Sequence, residues 1–434
     1  MLLRFGSVPV LVVSSAETAR EVMKTHDTNF SNRPPFKAMS KLCYGCKDVT
    51  SSPYGEYWRQ IRSIFVLQML SNKRVRSFGC IREEEAALLV KRIEGCVDVL
   101  APVDLRRLIE DLNGQVIFRS SFGRRYSETE NGKKFLRLIR VFMGLVGEIY
   151  VGDFIPWLGW IGRVNGFDKR IDTTAKEIDQ ILESVIQDRQ HLVKAKGKTE
   201  GEEQEEEDFL DILLQIYNQD ASMDRDTVKA LLVDVFVGGT DSISTSLEWI
   251  MSELLRHPRV MEKLQSEVRG VVKQKKHITQ DDLEKMDYMK AVIKENMRLH
   301  PTFPLSPRLA SKDVQIKGYD VAAGTMMMVN IWAIGRELVS WDDPDKFMPE
   351  RFLNSSRDFK GQDFEFIPFG TGRRGCPGIR YATATMELVL ANLMQKFDWN
   401  LPNGILPKHL DMTESSGIAP NKVVPLLALA SHPQ

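Results

Sequence analysis

Ten residues near the end of the chain, Phe369-Gly370-Thr371-Gly372-Arg373-Arg374-Gly375-Cys376-Pro377-Gly378, constrain it more than any other segment. A cysteine closes a glycine-rich turn bearing two arginines, just where a helical pattern begins. Helix-start N–H groups and guanidinium groups both favour an ionised sulfur. The segment predicts a thiolate of lowered pKa, and thiolate is the form of cysteine that binds metal. Gly370 to Gly375 also spells G-x-G-x-x-G, the dinucleotide fingerprint. That fingerprint opens a βαβ unit of a parallel sheet. Here no second β-unit follows it, so the dinucleotide reading is set aside.

The chain has 434 residues, 43% of them apolar, which is ample for a large core. Formal net charge is zero, so no global field argues for a nucleic-acid partner. The cysteines are five: Cys43, Cys46, Cys80, Cys96 and Cys376. So odd and sparse a set argues against a disulfide scaffold and for a reducing compartment. Cys43 and Cys46 form C-x-x-C, but neither a thioredoxin-like context nor a second pair accompanies them. They read as reduced loop cysteines. No run of apolar residues is long enough to span a membrane.

Periodicity predicts a mainly α protein with small β-sheets, formed as one domain over 1–434. Strand then helix is expected over 1–30, with Ser15 as the cap, and loop over 31–55. One long amphipathic series covers 56–99. Helices are expected at 133–148 and up to 193, then a solvated acidic loop at 196–208. A single long helix is expected at 224–257. Further helices follow at 258–272, 280–300 and 378–397, with short strands at 306–329 and Pro-rich coil at 340–368.

Several further motifs agree in order and spacing. Trp58 and Arg62 form W-x-x-x-R on one helical face. Gly238-Gly239-Thr240-Asp241-Ser242 interrupts a helix with paired glycines, each unfavourable by about 1 kcal/mol relative to Ala. They suit either close helix packing or a ligand groove. Glu295 and Arg298 form E-x-x-R, followed by Pro349-Glu350-Arg351-Phe352. Pro307-Arg308 lies between them. In the loop itself, Phe369, Gly372, Arg374, Cys376 and Gly378 fit F-x-x-G-x-R-x-C-x-G.

With these motifs the whole chain resembles the cytochrome P-450 superfamily. Tyr54-Gly55-Glu56-Tyr57-Trp58-Arg59, Leu247-Glu248-Trp249 and Leu410-Asp411-Met412-Thr413-Glu414 resemble the plant microsomal type, family seventy-one, subfamily A. The resemblance implies haem b (iron protoporphyrin IX) between the long central helix and the cysteine loop, with Cys376 as axial iron ligand. It implies that Arg62, Arg308 and Arg374 pair with the haem propionates, and that Trp58 shares the propionate-clamping helix. Phe369 would pack near the sulfur, and Gly372 and Gly378 would let backbone N–H groups approach it. Gly238 and Gly239 would form the dioxygen groove. Asp241 and Ser242 would relay protons, with serine in the family's usual threonine place. Glu295, Arg298 and Arg351 would be structural.

The implied activity is insertion of one oxygen atom of O2 into a small apolar plant metabolite, such as a terpenoid, phenylpropanoid or indolic molecule. Electrons would come from NADPH through NADPH-cytochrome P-450 reductase. A non-oxygenating haem-thiolate enzyme, such as an aldoxime dehydratase, and a non-catalytic haem-binding protein are the alternatives. Val237, Phe303, Leu305 and Ile418 are the candidate substrate contacts. The expected location is the cytosolic face of the endoplasmic reticulum membrane, with the family's N-terminal anchor and Pro-rich hinge missing from this chain. Residues 149–160, with their Trp and Phe, would touch the membrane surface.

Overall fold

The computed structural model describes residues 1–123, 129–195, 207–219, 223–273, 275 and 277–433. The acidic stretch at 196–206 lies outside the described residues. Helices dominate, and three small sheets lie beside them.

Local chemistry sets the helix ends. Asp104 accepts from Arg107 N at 3.0 Å and opens the Leu105–Phe122 helix, which stops at Gly123 with φ 64°. Asp224 accepts from Thr227 N at 2.8 Å and opens the Arg225–Gly239 helix. Such caps satisfy N–H groups that the helix itself leaves unpaired.

The central helix is not the continuous 224–257 element that periodicity predicts. It is two helices, Arg225–Gly239 and Asp241–Arg256, joined at Thr240 with φ −86° and ψ −65°. The Thr240 hydroxyl donates back to Phe236 O at 2.7 Å. Asn113, on the Leu105–Phe122 helix, donates from Nδ2 to the carbonyls of Gly239 and Thr240 at 2.7 and 2.6 Å. A side chain inserted into the ladder thus supplies partners for buried carbonyls and fixes the break.

Three other expectations need correction. The 31–55 loop holds a short helix, Lys37–Leu42, that follows Pro34-Pro35. The 56–99 series divides into Glu56–Ile64, a π-turn at Phe65–Met69, Asn72–Ser77 and Gly79–Asp98. The 280–300 segment is two helices: Gln280–Glu284, opened by a Thr279–Asp282 capping box, and Asp287–Leu299.

The largest sheet orders its strands Leu2–Phe5, Val8–Val13, Met326–Asn330, Leu305–Leu309. Val10 pairs with Met326 in parallel, and Arg308 pairs with Met327 antiparallel. The edge strand therefore carries Arg308 at a fixed register. Val13, Val22, Phe30, Met327 and Phe364 form a small apolar cluster with this sheet. The main core is a separate, much larger cluster among the helices.

Candidate functional site

The cysteine loop is tied by its own backbone. Cys376 N donates to Phe369 O at 2.8 Å, and Gly375 N to Gly372 O at 3.0 Å. Gly372 has φ 69°, and a Cβ there would lie 2.6 Å from Asp27 Oδ1 and 2.7 Å from Met23 O, so only glycine fits. Phe369 packs edge-on against Phe359, with ring centroids 5.4 Å apart. Gly378 N donates to Cys376 Sγ at 3.3 Å, one residue before the Ile379–Lys396 helix.

The thiol differs from expectation. Burial pushes its pKa above the ordinary value, while the Gly378 N–H and the charge of Arg62 pull the other way. Neither loop arginine supplies that charge. Arg373 reaches away to Asp27 at 2.7 Å and to Tyr54 Oη at 3.1 Å. Arg374 donates to the carbonyls of Ser31 at 2.7 Å, Val49 at 2.9 Å and Ser52, and lies 4.4 Å over the Trp58 ring. The cation near the sulfur is Arg62, whose Nη2 donates to Gly375 O at 2.6 Å. Cys376 is deeply enclosed by protein yet keeps accessible surface, which puts it on the wall of an internal cleft.

The cysteine loop also borders a cluster of arginines, Arg33, Arg62, Arg308 and Arg374. Arg308 is 2% exposed and its Nη1 has no hydrogen-bond partner. Burial lowers its pKa well below the guanidinium range, and neighbouring Arg33 and Arg374 lower it further against Asp27. Burial brings Arg374 down to about 9, with Arg33 and Arg62 adding and Asp48 and Asp234 opposing. Burial also brings Arg33 down to about 10, with Asp48 opposing and Arg62 adding. Arg62 is lowered by burial, against Cys376 and Asp234. The carboxylates Asp48 and Asp234 are themselves pushed up by burial. Cations gathered in this way, one of them with an unpaired donor, fit a ligand that brings its own buried carboxylates. Haem, with two propionates, meets that requirement. Trp58 spends its indole N–H on Val49 O at 2.9 Å, so it orients the loop beneath Arg374.

The paired glycines divide the two roles that the sequence left open. A Cβ on Gly239 would lie 2.5 Å from Ile117 Cδ1, so Gly239 serves close helix packing. A Cβ on Gly238 would meet nothing within 4 Å, so Gly238 faces open space. Burial raises the Asp241 pKa, against Arg140. Ser242 Oγ donates to Gly238 O at 2.7 Å. Thr245 bonds Asn421 and is committed to the C-terminal segment.

Glu295 and Arg298 are fully buried and doubly bonded, at 2.7 and 2.8 Å. Arg351 Nε joins Glu295 Oε1 at 3.0 Å, and Met348 N donates to the same oxygen at 2.8 Å. Arg298 also donates to the carbonyls of Gly335, Pro344 and Lys346. Loss of one partner in such a buried set costs about 3–5 kcal/mol. Val237, Phe303 and Ile418 are partly buried against the main core, and Leu305 keeps 45% of its surface.

Sequence reasoning missed Arg33, Asn113 and Asp48.

Comparison with known proteins agrees with this geometry. The family described as "Cytochrome P450" matches residues 1–425. Cytochrome P450 71A8 of Mentha piperita is 55% identical over 87% of this chain and 74% of that protein. Norfluorocurarine oxidase of Strychnos sp is 46% identical, over 98% of this chain and 85% of that one. Tabersonine/lochnericine 19-hydroxylase of Catharanthus roseus is 45% identical, over 99% and 86%. A zebra fish cytochrome P450 structure with progesterone superposes with a TM-score of 0.81 at 25% identity, covering 100% of this chain and 96% of that one. The chain belongs to the cytochrome P-450 family of haem-dependent monooxygenases.

Proposed function

We propose that this monooxygenase of plant secondary metabolism oxidises a small apolar terpenoid, phenylpropanoid or indolic molecule, and that haem b is held between Gly238 and Cys376. The observation that carries the reading is the buried Nη1 of Arg308, without a hydrogen-bond partner among the described residues and close to the cations Arg33 and Arg374. Relatives named for oxidation of norfluorocurarine and 19-hydroxylation of tabersonine/lochnericine support a secondary metabolite as substrate.

When bound, haem supplies the iron at which O2 is reduced and one of its oxygen atoms reaches the substrate. Cys376 Sγ would bind the iron as a thiolate, and the Gly378 N–H, already donated to that sulfur, would stabilise its charge. Arg62 and Arg308 would hold the haem through its propionates, offsetting their charge. Arg374 acts at one remove, holding 31–52 in place through three carbonyls. Asp241 holds a proton on its carboxyl at a pH where an exposed aspartate would have lost it. Ser242 Oγ keeps its own proton on Gly238 O and offers its lone pairs to water arriving from Asp241. Val237, Phe303, Leu305 and Ile418 form apolar walls that exclude bulk water and orient the substrate.

The whole chain acts as one catalytic domain. NADPH-cytochrome P-450 reductase supplies the electrons at the cytosolic face of the endoplasmic reticulum. An apolar face supports a membrane-surface contact: Trp157 is 76% and Trp160 57% exposed, with Ile149 and Val164 also exposed. Met1, Leu2 and Phe5 extend the exposed apolar surface, and Ser7 N donates to Phe154 O at 2.9 Å. Among the described residues, no helix is long and apolar enough to cross a membrane.

The test is the spectrum of the ferrous–CO adduct. A strongly red-shifted Soret band is expected, and it disappears in Cys376→Ser. An unshifted band, or a Cys376→Ser variant that keeps the shift, removes the assignment. Turnover that requires both O2 and NADPH separates oxygen insertion from dehydration.

A further inference from the structure

His300 closes the Asp287–Leu299 helix and joins three parts of the molecule. Its ring stacks on Trp249 of the Asp241–Arg256 helix, with centroids 4.3 Å apart and planes 1° from parallel. Nε2 meets Glu253 Oε1 on that same helix at 2.8 Å. Nδ1 faces Glu414 Oε1 at 3.5 Å, an ionic contact without a formed hydrogen bond.

Glu414 stands at the base of a narrow hairpin. It bridges Lys422, Ser415 N donates to Asn421 O at 2.7 Å, and Val423 N donates to Thr413 O at 2.9 Å. The tip carries Ile418, whose N lies 3.1 Å from where a Cβ on Gly147 would stand. Neutral contacts hold one side of the hairpin: Trp249 Nε1 donates to Pro420 O at 3.0 Å, and Thr245 bonds Asn421. On the Glu414 side the cationic partners are His300 and Arg336, and Arg106 Nη2 donates to Lys422 O at 2.6 Å.

We propose that His300 is a positioning residue for substrate selection, which anchors the 413–423 hairpin to the Asp241–Arg256 helix and so sets where Ile418 stands in the pocket. The selectivity part rests on the reading of Ile418 as a substrate wall; the anchoring part does not.

An imidazolium has two N–H donors and satisfies both carboxylates at once, whereas a neutral ring satisfies one. Burial works against the charge, but Glu253 and Glu414 outweigh it and raise the His300 pKa. Glu253 is held at about 2: burial raises it, and His257 and His300 lower it further. The other charged groups facing this cluster are Arg336, beside Glu414 and Glu253, and Lys422, 5.3 Å over the Trp249 ring. A pKa raised by docking means that the anchor is present at low pH and is lost as pH rises through the raised value. Each pKa unit gained on docking multiplies the docking constant by about ten.

Hydrogen exchange of the 413–423 amides, corrected for intrinsic rates, tests the anchor in the haem-loaded protein. Wild type is expected to lose protection as pH rises through the imidazole pKa. Glu414→Gln is expected to exchange several-fold faster at about pH 6, where ordinary imidazoles are largely charged, and to show no such step. Unchanged exchange in Glu414→Gln, or a wild-type hairpin indifferent to pH, overturns the anchor. Glu414→Gln is the deciding variant because His300 is buried and His300→Gln can fail to fold. The second readout is the ratio of affinities for phenylimidazole and imidazole, read from the Soret shift. A several-fold change in the ratio supports selection through Ile418. A loosened hairpin with an unchanged ratio retains the anchor and overturns Ile418 as a wall.

Discussion

Asp234 and Arg374 are linked through one residue, Val49. Val49 N donates to Asp234 Oδ2 at 2.6 Å, and Val49 O accepts from Arg374 Nη1 at 2.9 Å. Thr50 Oγ1 adds a bond to Asp234 Oδ1 at 2.8 Å. The Arg225–Gly239 helix and the cysteine loop, far apart in sequence, are therefore held in register by the 49–52 segment.

This link predicts different results for two variants. Burial first, and then Asp48, pushes the Asp234 pKa well up, so a neutral amide imitates its protonated form. Asp234→Asn keeps an acceptor for the Val49 N–H and should lose less stability than Asp234→Ala. Asp234→Ala leaves the Val49 N–H unpaired and should cost about 1–3 kcal/mol in denaturant unfolding. The folded pKa is raised, so the carboxyl's stabilisation is present below the unfolded aspartate value and fades as pH rises through the folded one. Asp234→Asn should flatten that slope.

Arg308 should act in opposite directions with and without cofactor. Arg308→Gln removes a buried, unpartnered charge and should raise the thermal midpoint of haem-free protein. The same change removes a hydrogen bond between charged groups, worth about 1.5–3 kcal/mol. Haem should then dissociate about 10–100-fold faster into apomyoglobin. A lowered apoprotein midpoint would show that Arg308 is compensated within the protein.

The adjacent glycines should separate cleanly. Gly239→Ala drives a methyl group to 2.5 Å from Ile117 and should cost about 1–3 kcal/mol. Gly238→Ala meets nothing and should gain about 0.5–1 kcal/mol of helix stability. It should nevertheless alter ligand-induced spin shifts, because the added methyl group projects into the cleft.

Asp241 should set the alkaline limit of turnover. Its protonated fraction falls as pH passes a pKa that burial raises against Arg140. Turnover should fall along that limb, and Asp241→Asn should lower it by about 10²–10⁴-fold, the range of general acid catalysis. Ferrous–CO spectra should be unchanged, which distinguishes lost proton delivery from lost haem.

Local motifs made much of this protein legible. Cys376 stands out in its glycine-rich turn and Glu295–Arg298 at helical spacing, whereas Arg308 and the joining of Arg351 were implied only by the family resemblance. Arg33 and Val49 were not legible. Arg33 reaches Pro307 O at 2.6 Å from the far end of the chain, and Val49 acts only through its backbone. The break at Thr240 was half legible: the glycines signalled weakness, but the amide that fixes the bend belongs to another helix. The thiol was misjudged because burial outweighs nearby positive charge, and burial is a property of the fold.

Asn113 has a consequence for how this enzyme diversifies. A bend held by a donor from a neighbouring helix is set partly from outside the segment that bends. Changes around position 113, remote from the glycines, re-aim the residues beyond the bend, including Asp241 and Ser242. Selection can therefore move those residues from the Leu105–Phe122 helix while the cysteine-loop and Glu295–Arg298–Arg351 motifs remain intact.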